Sequence, residues 1–318
     1  MRALKSKRLV ALAVAVGVAL ILVVSVVVLP SGSARNKPPP DPPRLANPYR
    51  GLGAWVDMYA WSDTFTGGNP TFGPADLPSM AASGVQTLYL QAAQQLGPAT
   101  ALEPARLDAL ISAAHRAGIA VVVWYQPTLQ DVATDLARLL AIARLPADQV
   151  AVDIESTAVA DIPTRNAALI TLSQQLRRAL PTRLLGAIVL PVPFLQVVSP
   201  AYWPSFPYQS LASSYDAWLP MAYWTDRLRG SGFRDGYAYT VASVNGLRSA
   251  VGPATLISPI GGVSVNGLTT SDLNGFVQAA EQTASAGGSL YEWTGTTAEQ
   301  WALLQPLRTK TPMEKTSG

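Results

Sequence analysis

The sequence predicts an α/β protein, a (β/α)8 TIM barrel preceded by one N-terminal transmembrane helix and a proline-rich linker. Three observations carry that expectation. Leu9–Leu29 is a 21-residue apolar run without a charge. Pro30–Tyr49 centres on Pro38-Pro39-Pro40-Asp41-Pro42-Pro43. From Arg50 to Leu307, short β-branched or aromatic runs alternate with amphipathic stretches, the pattern of a parallel sheet.

An apolar helix of that length spans a hydrocarbon core of about 30 Å. Arg2, Lys5, Lys7 and Arg8 precede it. The positive-inside rule therefore puts residues 1–8 in the cytoplasm and the barrel on the extracytoplasmic side of a cell membrane crossed once. A cleaved signal peptide is the alternative, giving a secreted form. Its apolar region usually runs only about 7–15 residues, so the longer run favours an anchor over residues 9–29. The proline run over 30–49 favours extended polyproline II and reads as a stiff spacer. The barrel is expected over 50–307, and 308–318 as a disordered tail.

The expected strands are Gly53–Asp57, Gln86–Gln91, Ala120–Tyr125, Val150–Ile154, Leu185–Leu190, Ala217–Tyr223, Thr255–Ile260 and Ser289–Trp293. Helices are expected near Ala75–Ser83, Pro104–Ala117, Leu129–Arg144, Ile162–Leu180, Gly236–Val251 and Thr270–Ala286, with shorter ones at Ser210–Tyr215 and Ala298–Leu307. Gly84, Gly118 and Gly287 fall where left-handed helix caps are wanted. A doubly wound sheet is the competing fold, but no glycine-rich phosphate turn follows the first strand.

Composition narrows the chemistry. Between Gly51 and Leu307 there are 12 basic and 18 acidic residues, a net of −6, so the basic face that nucleic acid requires is not expected there. The sequence has no cysteine and a single histidine, His115. That disfavours disulfides, thiolate chemistry, a zinc site and a Ser-His-Asp triad, and no cofactor or metal is expected.

Barrel active sites form at the C-terminal ends of the strands. Strand four ends Val150-Ala151-Val152-Asp153-Ile154-Glu155. Strand alternation turns Val150, Val152 and Ile154 toward the helices, and Ala151, Asp153 and Glu155 toward the barrel axis. The two carboxylates then stand about 6–7 Å apart along the strand. Each raises the cost of ionising the other, which favours one protonated acid beside one carboxylate, an unequal pair that glycoside hydrolysis commonly uses. Trp55, Asp57, Tyr89, Gln91, Trp124 and Tyr125 gather at the ends of the first three strands, Tyr223 at the end of the sixth, and Glu292 and Trp293 at the end of the eighth. Aromatic rings above a carboxylate pair suit a sugar, whose C–H faces stack on rings while its hydroxyls take hydrogen bonds.

Asp153-Ile154-Glu155, Met221-Ala222-Tyr223 and the tryptophan closing strand eight resemble the chitinase-type (family 18) glycoside hydrolases, whose strand-four motif is Asp-x-x-Asp-x-Asp-x-Glu. The resemblance implies Glu155 as general acid and Asp153 as the residue orienting the substrate acetamido group that serves as internal nucleophile. It further implies Tyr223 as a helper to that group and Trp293 as the sugar platform. Asp148 matches the first motif position, whereas Ala151 replaces the middle aspartate and Trp224 stands where the family usually has Asp. Trp293 also falls one residue late, leaving Glu292 at the expected place.

The expected function is thus a cell-surface glycosidase acting on an envelope or extracellular glycan through Glu155, Asp153 and Tyr223. Trp293, Asp57, Trp55, Tyr89, Gln91, Tyr125 and Glu292 are expected to bind that substrate. A non-catalytic glycan-binding barrel is the first alternative, and a membrane-tethered scaffold for a protein partner is the second.

Overall fold

The computed structural model describes residues 41–309. The expected transmembrane helix, the linker as far as residue 40 and the tail from residue 310 lie outside them. Among the described residues no helix is long and apolar enough to cross a membrane.

Nine parallel strands form one curled sheet in the order β7-β6-β5-β4-β3-β2-β1-β9-β8. They are β1 (Gly51–Val56), β2 (Thr87–Gln91), β3 (Ala120–Tyr125), β4 (Gln149–Ile154), β5 (Leu185–Val189), β6 (Ala217–Pro220), β7 (Leu256–Ile257), β8 (Ile260–Val263) and β9 (Gly287–Tyr291). The ninth strand arises because the expected seventh is broken. Pro259 lacks the N–H that would continue the ladder, so the segment splits at Ser258-Pro259 into β7 and β8. β7 pairs with β6, with Ala217 opposite Leu256. β8 pairs with β9, with Ile260 opposite Ser289. A parallel bridge from Met221 to Ile260 spans the break. Two halves of one segment therefore bond to the opposite margins of the sheet, which makes the fold TIM-like.

Helices cover the outside. Their starts follow the capping residues in the sequence: Asp131 accepts from the backbone N–H of Ala133 and Thr134, Asp161 from Thr164, and Asp235 from Ala238. Each such cap is worth about 1 kcal/mol. Gly84 and Gly118 do take left-handed backbone, at φ +82° and +77°. Gly287 does not. It opens β9, where a Cβ would lie 2.1 Å from the Gly51 carbonyl oxygen, so it is needed for the close approach of β1 and β9 rather than for a cap. Ala284 takes the left-handed turn instead.

Packing begins before residue 50. Tyr49, at the end of the expected linker, is fully buried inside the lower end of the sheet. Its hydroxyl donates to the Val150 carbonyl at 2.6 Å. The Pro48 carbonyl accepts from the Thr87 hydroxyl at 2.8 Å, and Arg44 lies 3.5 Å from Asp148. Asp148 also meets His115 at 2.9 Å. Asp148 thus sits below β4, paired with the lone histidine, at the end remote from the strand C-termini.

Candidate active site

Alternation along the strands sorts their side chains into two groups. Val150, Val152 and Ile154 pack into the apolar layer between sheet and helices, whereas Ala151 joins Trp55, Tyr89, Trp124, Leu219 and Met221 inside the curl. The interior rises in layers. Tyr89 stacks beneath Trp55 at 4.3 Å between ring centroids, and the Trp55 indole donates to the Ser289 hydroxyl at 2.9 Å. Above these rings the C-terminal strand ends enclose a cavity of about 470 Å³.

Six of the ten residues expected at the site line that cavity: Trp55, Asp57, Gln91, Asp153, Glu155 and Tyr223. Four do not. Tyr89 lies one layer down, covered by Trp55. Tyr125 ends β3 on the opposite parity and points to the helix side, where its hydroxyl donates to the buried Asp135 at 2.7 Å. Trp293 follows the end of β9 at Tyr291, and a 3-10 turn over Trp293–Gly295 carries it against Trp301 at 5.5 Å. The platform that the resemblance implies is therefore not at the cavity; Tyr291 is. Glu292 is also outside the lining. Burial pushes its carboxyl up, while a hydrogen bond from Thr294 opposes this and the charge of Asp57 adds to it.

Each carboxylate at the cavity is held differently. Asp57 caps a single helical turn by accepting from the Tyr59 N–H at 2.9 Å, and it also accepts from the Tyr291 hydroxyl at 2.6 Å. Glu155 accepts from Gln126 Nε2 at 2.5 Å, and its backbone carbonyl accepts from the Tyr202 hydroxyl at 3.0 Å. Asp153 is buried, and its Oδ1 has no hydrogen-bond partner among the described residues. Burial first, and then the neighbouring Glu155 charge, hold the Asp153 carboxyl well above the usual range. Burial also raises Glu155, against the lowering effect of the Gln126 hydrogen bond. The pair thus retains a proton to higher pH than exposed carboxyls would. Burial raises the Tyr223 phenol too, with Tyr291 and the carboxylates adding to it, so Tyr223 stays a neutral hydrogen-bond donor.

The charged side chains of the lining are Asp57, Asp153 and Glu155, all acidic. Such a cavity repels anionic ligands. The Trp124 Nε1 is buried without a partner among the described residues, so the wall offers one unused donor and, in Asp153, one unused acceptor.

Gln126, Tyr291 and Gln95 were not expected at the site. Parity held a signal for two of them. Gln126 continues the inward face of Val122 and Trp124, and Tyr291 continues that of Ser289. Gln95 lies on the loop after β2, where no periodicity reports direction.

No family model matches the chain, and no curated protein matches it in sequence. Solved structures match it in shape. The C-terminal domain of a putative chitinase from Desulfitobacterium hafniense aligns over 81% of this chain and 99% of that one, at TM-score 0.60 and 14% identity. The likeness is one of fold. The spore cortex-lytic enzyme SleL of Bacillus cereus aligns over 82% of this chain and 75% of that one, at TM-score 0.58 and 11% identity. A family 18 chitinase from Cycas revoluta, solved with (GlcNAc)3, aligns over 80% and 97%, at TM-score 0.57 and 12% identity.

Proposed function

We propose that the chain is a glycoside hydrolase acting on a glycan that contains N-acetylated amino sugars. The observation that carries this reading is the pair Asp153 and Glu155 side by side in the cavity, with Asp153 buried and its Oδ1 unpaired. The fold neighbours add support, since one was solved with an N-acetylglucosamine oligomer.

In this reading Glu155 protonates the glycosidic oxygen as the C–O bond breaks. The acetamido carbonyl oxygen of the same sugar closes on the anomeric carbon, as in substrate-assisted glycosidases. Asp153 accepts the acetamido N–H and stabilises the positive charge that develops there. Tyr223 and the Trp124 indole are donors for the acetamido oxygen. Glu155, now a carboxylate, takes a proton from the water that opens the intermediate, which restores the starting state. Ala151 leaves β4 with two carboxylates instead of three, so proton movement is confined to Asp153 and Glu155. The acidic lining favours neutral glycans over uronate- or phosphate-bearing ones.

The test compares hydrolysis of N-acetylglucosamine oligomers with that of the same oligomers after de-N-acetylation. Cleavage is expected only where the acetamido group remains, and equal cleavage of both would remove the assigned role of Asp153. We further propose that the barrel works outside the cell, tethered by Leu9–Leu29. Protease added to intact cells should then release a soluble fragment, and full protection until lysis would contradict that placement.

A further inference from the structure

We propose that Gln95 and Gln126 form an amide relay that fixes Glu155 as the ionised, acceptor-only member of the carboxylate pair while the cavity is empty, making both glutamines positioning residues for the acid. This rests on the hydrolase reading for its catalytic consequence but not for its geometry. Gln126 Nε2 donates to Glu155 Oε1 at 2.5 Å. Gln126 Oε1 accepts from Gln95 Nε2 at 2.7 Å. The same Gln95 Nε2 also reaches the Gln126 backbone carbonyl at 3.3 Å, which fixes the Gln95 amide independently of the Gln126 side chain.

The direction of the relay follows from donor and acceptor counting. An amide nitrogen only donates, its oxygen only accepts, and an ionised carboxylate only accepts. Gln95 must present its nitrogen, because the backbone carbonyl it meets cannot donate. Gln126 must then turn its oxygen to Gln95 and its nitrogen to Glu155. A protonated Glu155 donating to Gln126 would require that amide to flip, setting its nitrogen against the nitrogen of Gln95. Protonation on Glu155 Oε2 leaves Oε1 able to accept, but a neutral acid accepts more weakly than a carboxylate. The relay thus favours the ionised form and leaves the proton of the pair on Asp153, whose Oδ1 has no hydrogen-bond partner among the described residues. Burial raises both carboxyls, the Glu155 charge raises Asp153 further, and the lowering hydrogen bond from Gln126 acts on Glu155 alone.

Both glutamines line the cavity, Gln95 on the β2 loop and Gln126 just after β3. A sugar entering beside them competes for the same amides and excludes water from Glu155. Either change weakens the bias, and the proton can then pass from Asp153 to Glu155 as the bond to be cleaved arrives. The neighbouring middle position of the motif is Ala151, so orientation of Glu155 comes from across the β3–β4 boundary instead of from within β4.

The experiment uses the full-length chain carrying 13C-carboxyl glutamate. The sequence has six glutamates, so Glu155 is assigned by the one resonance lost in Glu155→Gln. Its titration is followed by NMR in the wild type, Gln126→Met and Gln95→Met, alongside the pH profile of kcat/KM. Loss of a hydrogen bond to a charged group should move the Glu155 midpoint upward by about one pH unit in Gln126→Met. The shift should be smaller but of the same sign in Gln95→Met, which also serves if Gln126→Met fails to fold. The acid limb of kcat/KM, set by uptake of the pair's second proton on Glu155, should move with the midpoint, which a purely structural role would not produce. Unmoved midpoints in folded variants would overturn the relay. Shifted midpoints in a protein that cleaves no glycan would uphold the relay and count against the hydrolase reading instead.

Discussion

Asp153→Asn should make the protein more stable while making it a poorer catalyst. Asp153 is buried, its Oδ1 has no hydrogen-bond partner among the described residues, and its carboxyl is held above the usual range by burial and by Glu155. Two charges two residues apart on one strand lie about 6–7 Å from each other. At an effective dielectric near 20 they repel by about 2.5 kcal/mol. The wild type avoids part of this by keeping a proton, so the amide should gain about 1–2.5 kcal/mol at pH 8. For a domain of this size that corresponds to a melting temperature higher by about 2–10 °C. The sign with pH follows from the raised carboxyl. A folded state that binds the proton more tightly than the unfolded chain has its full benefit below about pH 4 and loses it as pH rises through the folded value. Thermal unfolding followed by circular dichroism at pH 5 and pH 8 should therefore show a gap between variant and wild type that widens at pH 8. A variant that melts below the wild type at pH 8, or a gap independent of pH, would instead make the pair a structural cap on β4.

Two further substitutions probe the surroundings. Trp124→Phe removes the unused indole donor and should weaken binding of an N-acetylated oligosaccharide by about 5–10-fold, read by calorimetry, with little change for a de-N-acetylated one. Asp135→Ala strands the buried Arg138, whose guanidinium lies 3.8 Å from that carboxylate, and should cost about 3–5 kcal/mol in chemical denaturation. Adding Arg138→Met should recover part of that loss.

What the sequence disclosed follows from which forces are periodic. Strand alternation put Asp153, Trp55 and Asp57 on the axis side, where they line the cavity, because one face of each strand must meet the helices and the other the axis. The same rule would have excluded Tyr125, which shares the outward parity of Val121 and Val123. Trp293 was misplaced for a different reason. Its parity is inward, but the strand ends at Tyr291 and a 3-10 turn begins at Trp293, which breaks the alternation. The break at Ser258-Pro259 was legible in the proline itself, although not in its consequence, the bridge from Met221 to Ile260. The seating of Tyr49 under β4 depends on a contact 101 residues away, which no local pattern reports. The Gln95 amide lies on a loop, where only three-dimensional proximity to Gln126 gives it a role.

In the proposed mechanism Glu155 supplies the proton to the leaving glycosidic oxygen. The direct measurement of that step is turnover by Glu155→Gln on an N-acetylglucosamine oligomer without an activated leaving group, together with the affinity for that oligomer. The glutamine keeps the size of the side chain and removes its proton. Turnover should fall by about 10²–10⁴-fold with affinity nearly unchanged. Full turnover in Glu155→Gln would contradict the assignment, and a wild type that binds the oligomer but never cleaves it would make the barrel a glycan binder.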